Sequence, residues 1–135
     1  MSKKILIVDD QENWRQALSS VLWKSGYSVE TADSLKSARE TLEKDSYALI
    51  VTDIRLVDER TGDVSGLELL AELKTTWEKT GRPCLIIMTG YLIEGIEELA
   101  LSKFEADCFF PKNPPEGFKI EDFRRQVERL LARKG

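Results

Sequence analysis

Residues 3–10 read KKILIVDD, and residues 48–53 read ALIVTD. Each is a short aliphatic and β-branched run that stops at acidic residues. Runs of this kind, bounded by polar residues, are the pattern of strands buried on both faces of a parallel sheet. In an open α/β sheet the ligand crevice lies beyond the carboxyl ends of the strands. Two such strands side by side bring Asp9, Asp10 and Asp53 into one small space.

Working outward, Ile5 to Val8 is the first strand. From about Gln11 to Ser25 a helix carries Trp14, Leu18, Val21 and Leu22 on one face, and Gly26 stops it. Ser28 to Ala32 is a second, weaker strand. Ser34 to Asp45 is a second helix with Leu35, Ala38 and Leu42 inward and Asp33 or Ser34 as its cap. Ala48 to Asp53 is the third strand. The polar stretch RLVDERTGDVS then marks a loop, longer than most α/β connections. Ser65 and Glu68 have the spacing of a capping box, opening a third helix with Leu67, Leu70, Leu73 and Trp77 at helical spacing. Gly81 and Pro83 end it. CLIIMT, Cys84 to Thr89, is a fourth strand, followed by a helix over roughly Leu92 to Lys103. Asp107 to Phe110 is a short fifth strand running into Pro111-Lys112-Asn113-Pro114-Pro115. A last helix, about Lys119 to Arg133, turns Ile120, Phe123, Val127 and Leu130 inward. Five strands alternating with five helices predict a doubly wound open sheet, one α/β domain over residues 1–135.

The bulk numbers agree. The 135 residues suffice for one genuine core. With 41% hydrophobic and 33% charged residues the composition is that of an ordinary globular protein. A net charge of −4 argues against direct nucleic-acid binding, which needs a basic excess. The sequence has no apolar run of the roughly 20 residues that a membrane span needs, and no signal-peptide pattern opens it, so a cytoplasmic location is expected. Cys84 and Cys108 lack metal-ligand spacing and read as buried reduced thiols. The chain has no histidine, which removes histidine general bases, Ser-His triads and His-ligated zinc together.

The strand ends then supply Asp9 and Asp10 from the first strand, Asp53 from the third, Thr89 from the fourth, and Lys112 after the fifth. Taken singly, Asp9 and Asp10 read as helix caps, Thr89 and Lys112 as loop residues, and Phe109 or Phe110 as core. Together they make a chemistry. Three crowded carboxylates repel one another and need a counter-ion. A hard divalent cation such as Mg²⁺ meets that need with carboxylate and carbonyl oxygens. A carboxylate beside Mg²⁺ and a lysine is also a workable nucleophile toward a phosphoryl group, with the hydroxyl of Thr89 available to one of the transferring oxygens.

IVDD at the first strand end, TDI with Asp53, MTG with Thr89, and Lys112 resemble the response-regulator receiver domain of two-component signalling, in order and across essentially the whole chain. The resemblance implies a flavodoxin-like parallel sheet of order 2-1-3-4-5. It implies that Asp53 is the phosphoacceptor, taking its phosphoryl group from a sensor histidine kinase or a phosphotransfer protein. Asp10, Asp53 and the backbone carbonyl of Arg55 would ligate Mg²⁺, with Asp9 acting largely through water. Lys112 would pair with the phosphoryl oxygens, Thr89 would swing toward them, and Phe109 would be the switch aromatic. Gly90 matches a small residue that leaves the site accessible. Arg55 and Tyr91 fall at positions that tune phosphoryl lifetime, and their bulk predicts slow self-dephosphorylation. In such a family the protein is a regulatory phosphoacceptor and not an enzyme beyond its own modification.

The departures from the family pattern are specific. Val57 stands where a proline is usual, and Gly66 arrives thirteen positions after Asp53, so the loop is about five residues longer than usual, a cheap extension entropically. Asn113 follows Lys112 where the family has proline after a cis bond. A cis bond before a non-proline residue costs about 2.5–4 kcal/mol, so Lys112–Asn113 is expected trans or the loop rearranged, and Asn113–Pro114 is the better cis candidate. The last helix carries Arg124, Arg125, Arg129 and Arg133 among Glu121, Asp122 and Glu128, which reads first as a solvated face with internal pairing. Because the fourth helix offers Glu94, Glu97 and Glu98, a homodimer through the fourth helix, fifth strand and last helix is the second partner implied.

Two other function classes compete. A pseudo-receiver would use the same fold as a phosphorylation-independent binding module; the intact acidic set speaks against it, the altered loop and the lost Lys-Pro step for it. A haloacid-dehalogenase-type phosphatase wants a second Asp two residues after its nucleophile, where Arg55 stands, and a cap domain for which there is no length. A flavodoxin lacks support because no Ser/Thr/Gly-rich phosphate loop follows Val8. The chain suits a stand-alone receiver or the receiver unit of a longer regulator.

Overall fold

A computed structural model describes residues 3–53, 71–72, 83–90, 95–98, 101–102, 105–112 and 118–134. Five strands, β1 (Lys4–Val8), β2 (Ser28–Ala32), β3 (Leu49–Asp53), β4 (Cys84–Thr89) and β5 (Cys108–Pro111), form one sheet. All neighbours pair in parallel, in the order β2-β1-β3-β4-β5. The expected doubly wound architecture and strand order are both present.

The aliphatic runs are continuous because both faces are covered. Alternate residues of one strand point to opposite faces. Leu6, Val8, Ile50, Leu85 and Ile87 pack with Ala38 of α2 (Leu35–Lys44). Ile5, Ile7, Leu49, Val51, Ile86 and Met88 pack with Leu18 and Leu22 of α1 (Glu12–Lys24) and with Phe123, Val127, Leu130 and Leu131 of the C-terminal helix (Ile120–Lys134). Each such side chain removed from water contributes roughly 1.5–3 kcal/mol before entropy is counted. The weaker pattern of β2 has its reason in place: it is an edge strand with Glu30 and Thr31 exposed. The hydroxyl of Tyr47, on the neighbouring face, donates to Glu30 Oε2 at 3.1 Å.

Local signals explain the boundaries. Ser34 caps α2, accepting from Ser37 N, while the Ser37 hydroxyl returns to Ser34 N, a capping box with serine in the glutamate position. Gly26, at φ +97°, ends α1. Its N–H reaches Trp23 O and that of Tyr27 reaches Leu22 O, the paired bonds of a Schellman motif. The fifth strand sits one residue later than the sequence suggests. Asp107 is a clamp before it, its N–H donating to Leu85 O at 2.7 Å and its Oδ2 accepting from Leu85 N at 2.8 Å. Pro111 is tolerated as the last residue of an edge strand.

Of the helix expected over Leu92 to Lys103, residues 95–98 and 101–102 are described, with α-helix at Ile96–Glu98, and the Ser102 hydroxyl donates to Glu98 O at 2.6 Å. The long loop and the Lys112–Asn113 and Asn113–Pro114 bonds lie outside the described residues; of the helix behind Ser65, residues 71–72 are described, both helical and exposed, with Glu72 Oε2 accepting from Arg39 Nε at 2.8 Å. Cys84 is buried, as expected; Cys108 is only half-buried, a correction that follows from its place on an edge strand. Among the described residues no helix is long and apolar enough to cross a membrane.

Candidate functional site

Sheet register assembles the site. Val8 pairs with Thr52, so the next residues, Asp9 and Asp53, emerge together from adjacent strands. Asp53 itself pairs with Met88, which sets Thr89 one step beyond it. Thr89 pairs with Pro111, and the Lys112 N–H donates to Thr89 O at 2.9 Å. Thus four strand ends separated by up to about a hundred residues of sequence meet at one rim, as crevice geometry in a doubly wound sheet requires.

Carboxylate oxygens of Asp9, Asp10 and Asp53 lie within 4.8 Å of one another. Asp9 and Asp53 are buried and Asp10 is exposed. From the far side of the sheet Lys112 reaches back, its Nζ 2.6 Å from Asp53 Oδ2 and 2.7 Å from Asp9 Oδ2. Its side chain is only 4% exposed, so this is an ion pair in low dielectric. Nζ also donates to Gln11 Oε1 at 3.1 Å. Thr89 is wholly buried at the same rim.

Asp9 does not cap α1. Its Oδ1 accepts from Gln11 N at 2.9 Å, its backbone carbonyl accepts from Arg15 Nη1 at 2.8 Å, and the N-cap position belongs to Gln11, whose side chain makes no cap bond. The capping explanation for the acidic pair fails for Asp9, whose other carboxylate oxygen faces Lys112. Burial pushes its carboxyl above the ordinary range; Lys112 and the Gln11 N–H oppose that, and the charge of Asp53 adds to it.

The donor set suits a hard divalent cation. One lysine against three carboxylates leaves two negative charges, the charge of one Mg²⁺, and every ligand offered is an oxygen. Phe109 is half-buried against the first of the two core layers, whereas Phe110 faces the other. Gly90 is exposed beside Thr89. Arg55 and Tyr91 lie outside the described residues.

Sequence reading missed two neighbours of the lysine. Gln11 reads as the start of a helix, although its place directly after the acidic pair is a signal. Trp14 packs inward against the core layer as its spacing predicts, half-buried, and it also meets the lysine, with Lys112 Nζ 5.1 Å from its ring centroid.

On the C-terminal helix, Arg124 is paired with Glu121 at 2.7 Å and Glu128 at 2.6 Å, and Arg125 with Asp122 at 3.8 Å. The solvated, internally paired face is what forms there, which reduces what these arginines could offer to Glu97 and Glu98 of a second copy.

Comparison with known proteins adds independent evidence. The sequence model of the response regulator receiver domain matches residues 5–116. The chain is 31% identical over 139 residues to sporulation initiation phosphotransferase F of Bacillus subtilis, covering 99% of this chain and 98% of that protein. It is 28% identical over 130 residues to the transcriptional regulatory protein BasR of Escherichia coli, covering 96% of this chain but only 53% of BasR. The chain therefore spans about half the length of that regulator. Among solved structures, the response regulator TrrA of Thermotoga maritima, in complex with Mg(2+)-BeF, aligns with a TM-score of 0.72 at 27% identity, over 95% of this chain and 98% of that one. A CheY-like receiver domain protein of Methanospirillum hungatei aligns at 0.78 and 27% identity, over 99% and 98%. Strand order, the composition of the rim and these matches converge: the chain belongs to the response-regulator receiver domain family.

Proposed function

We propose that this chain is a phosphoacceptor signalling switch of the cytoplasm, with Asp53 as the acceptor. An Asp53 carboxylate oxygen attacks the phosphorus of a phosphohistidine on a sensor histidine kinase or phosphotransfer protein. The O–P bond forms as the P–N bond breaks, and the imidazole leaves. The observation that carries this reading is the buried Lys112 ammonium, held 2.6 Å from Asp53 Oδ2 beside two further carboxylates. Asp10, Asp53 and the carbonyl of Arg55 would hold Mg²⁺, with Asp9 acting largely through water. When bound, the metal supplies charge neutralisation for the transferring oxygens. Lys112 moves from the carboxylates to a phosphoryl oxygen, and the Thr89 hydroxyl donates to another. Phe109 follows Thr89 inward and alters the partner-binding face, where a second copy of the chain is one candidate partner. Arg55 and Tyr91 shield the acyl phosphate, so label loss is slow; loss within seconds would contradict that role.

The test is intact mass after incubation with Mg²⁺ and acetyl phosphate, beside an Asp53→Asn control. One phosphoryl group gained by the wild type alone, and prevented by a chelator, is the expected result. A folded wild type that gains nothing points instead to a pseudo-receiver, a binding module independent of phosphorylation.

A further inference from the structure

The Lys112 ammonium has one neighbour that the proposed chemistry leaves unused. Its three protons are matched by Asp53 Oδ2, Asp9 Oδ2 and Gln11 Oε1. A further side meets the indole of Trp14, whose centroid lies 5.1 Å from Nζ, inside cation–π range. Trp14 stands on the first turn of α1 and meets Phe118 in a T-shaped contact at 5.1 Å. Phe118 in turn packs on Phe110 and Phe123 at 5.8 and 6.1 Å. The indole therefore ties the lysine to the aromatic cluster beneath the C-terminal helix.

We infer that Trp14 is a positioning residue for Lys112, its ring face holding the ammonium over the site as the carboxylates change partners. The inference rests on the phosphoacceptor reading of Asp53. During phosphoryl uptake the metal and the phosphoryl group compete for Asp9 and Asp53, two of the lysine's three acceptors. Of these three, Gln11 Oε1 is then the one acceptor left, and a lysine head on a flexible four-carbon stem is fixed by a second partner that neither claims. The quadrupole of an indole face attracts the ammonium and offers no ligand to Mg²⁺. A purely structural role, filling space beside Leu18 and Leu22, predicts something different: any apolar side chain of adequate bulk would serve.

The experiment uses the full chain. Acetyl phosphate uptake is followed by intact mass in W14F and W14L, and W14L is repeated in a Lys112→Met background. Phenylalanine keeps an aromatic face and should stay within about 2-fold of the wild-type rate, while leucine should slow uptake roughly 3- to 10-fold. In the Lys112→Met background W14L should change nothing further. In parallel, Trp23 and Trp77 are replaced by phenylalanine so that Trp14 alone emits, and Lys112→Met is expected to shift its emission in the absence of any phosphoryl donor. Equal rates for W14F and W14L, an equal slowing in both backgrounds, or emission indifferent to Lys112 would each overturn the inference. Absence of uptake by the wild type would instead defeat the phosphoacceptor reading, and the emission arm would still decide whether Trp14 holds the lysine. That arm also decides if W14L does not fold.

Discussion

Two sets of ion pairs in this molecule use the same chemistry in different surroundings. At the strand ends, Lys112 serves Asp9 and Asp53 with side chains 3–7% exposed. Along the C-terminal helix, Arg124 serves Glu121 and Glu128 with side chains 30–58% exposed. The distances barely differ, yet the energetics must. Water screens the helix pairs, which also immobilise long side chains, so exposed pairs contribute little. Around Lys112, Asp9 and Asp53 little water enters and each charge depends on its partner, so removing one leaves the others unsatisfied. A tight surface pair decorates a helix; a tight buried pair holds a site in readiness.

The comparison breaks most readily at Lys112. Lys112→Ala should lower the unfolding free energy by about 3–5 kcal/mol in urea titrations without Mg²⁺, because two buried carboxylates lose their cation. A loss near zero would mean that the rim is as well hydrated as the helix face. Next in size, Mg²⁺ at a hundredfold its dissociation constant should stabilise the wild type by about 2.7 kcal/mol, an effect abolished by chelator. The same addition should restore part of what Lys112→Ala loses, since metal and lysine answer the same excess of negative charge.

Asp9 gives a smaller and pH-dependent effect. Its folded carboxyl binds a proton more tightly than the unfolded one, chiefly through burial. The stability it contributes is therefore complete below the unfolded pKa and lost as pH rises through the raised folded value. Asp9→Asn has no such loss, so its thermal midpoint without Mg²⁺ should gain on the wild type over the range above the ordinary carboxylate pKa of about 4. An unchanged difference across that range would show that Lys112 fully offsets burial. Smallest of all, Arg124→Ala should leave the thermal midpoint within experimental scatter, with added salt changing little.

Much of this was legible in the chain. Ile5 to Val8 and Leu49 to Asp53 announced themselves because burial on both faces demands unbroken apolar runs, and Gly26 and Ser34 because backbone geometry demands those residue types. The acidic rim followed, since residues at the ends of adjacent parallel strands have nowhere else to go. Less legible was the start of β5, where the Asp107 side chain replaces strand pairing with a clamp on Leu85. Least legible was the contact of Gln11 and Trp14 with the lysine. Gln11 and Lys112 are 101 positions apart, and no periodicity links them.

The sequence by itself thus determined which segments are strands, which faces are apolar, and that three aspartates and a lysine stand at the carboxyl ends of strands. Those properties are local, set by backbone preference and by the repeat of apolar residues, and a chain states them residue by residue. Only the tertiary structure decided that Lys112 spans Asp9 and Asp53 at once, that Asp9 turns from the helix to the lysine, and that the indole of Trp14 faces the ammonium. Those are matters of side-chain direction across a parallel sheet, where partners are chosen by register and packing and not by distance along the chain.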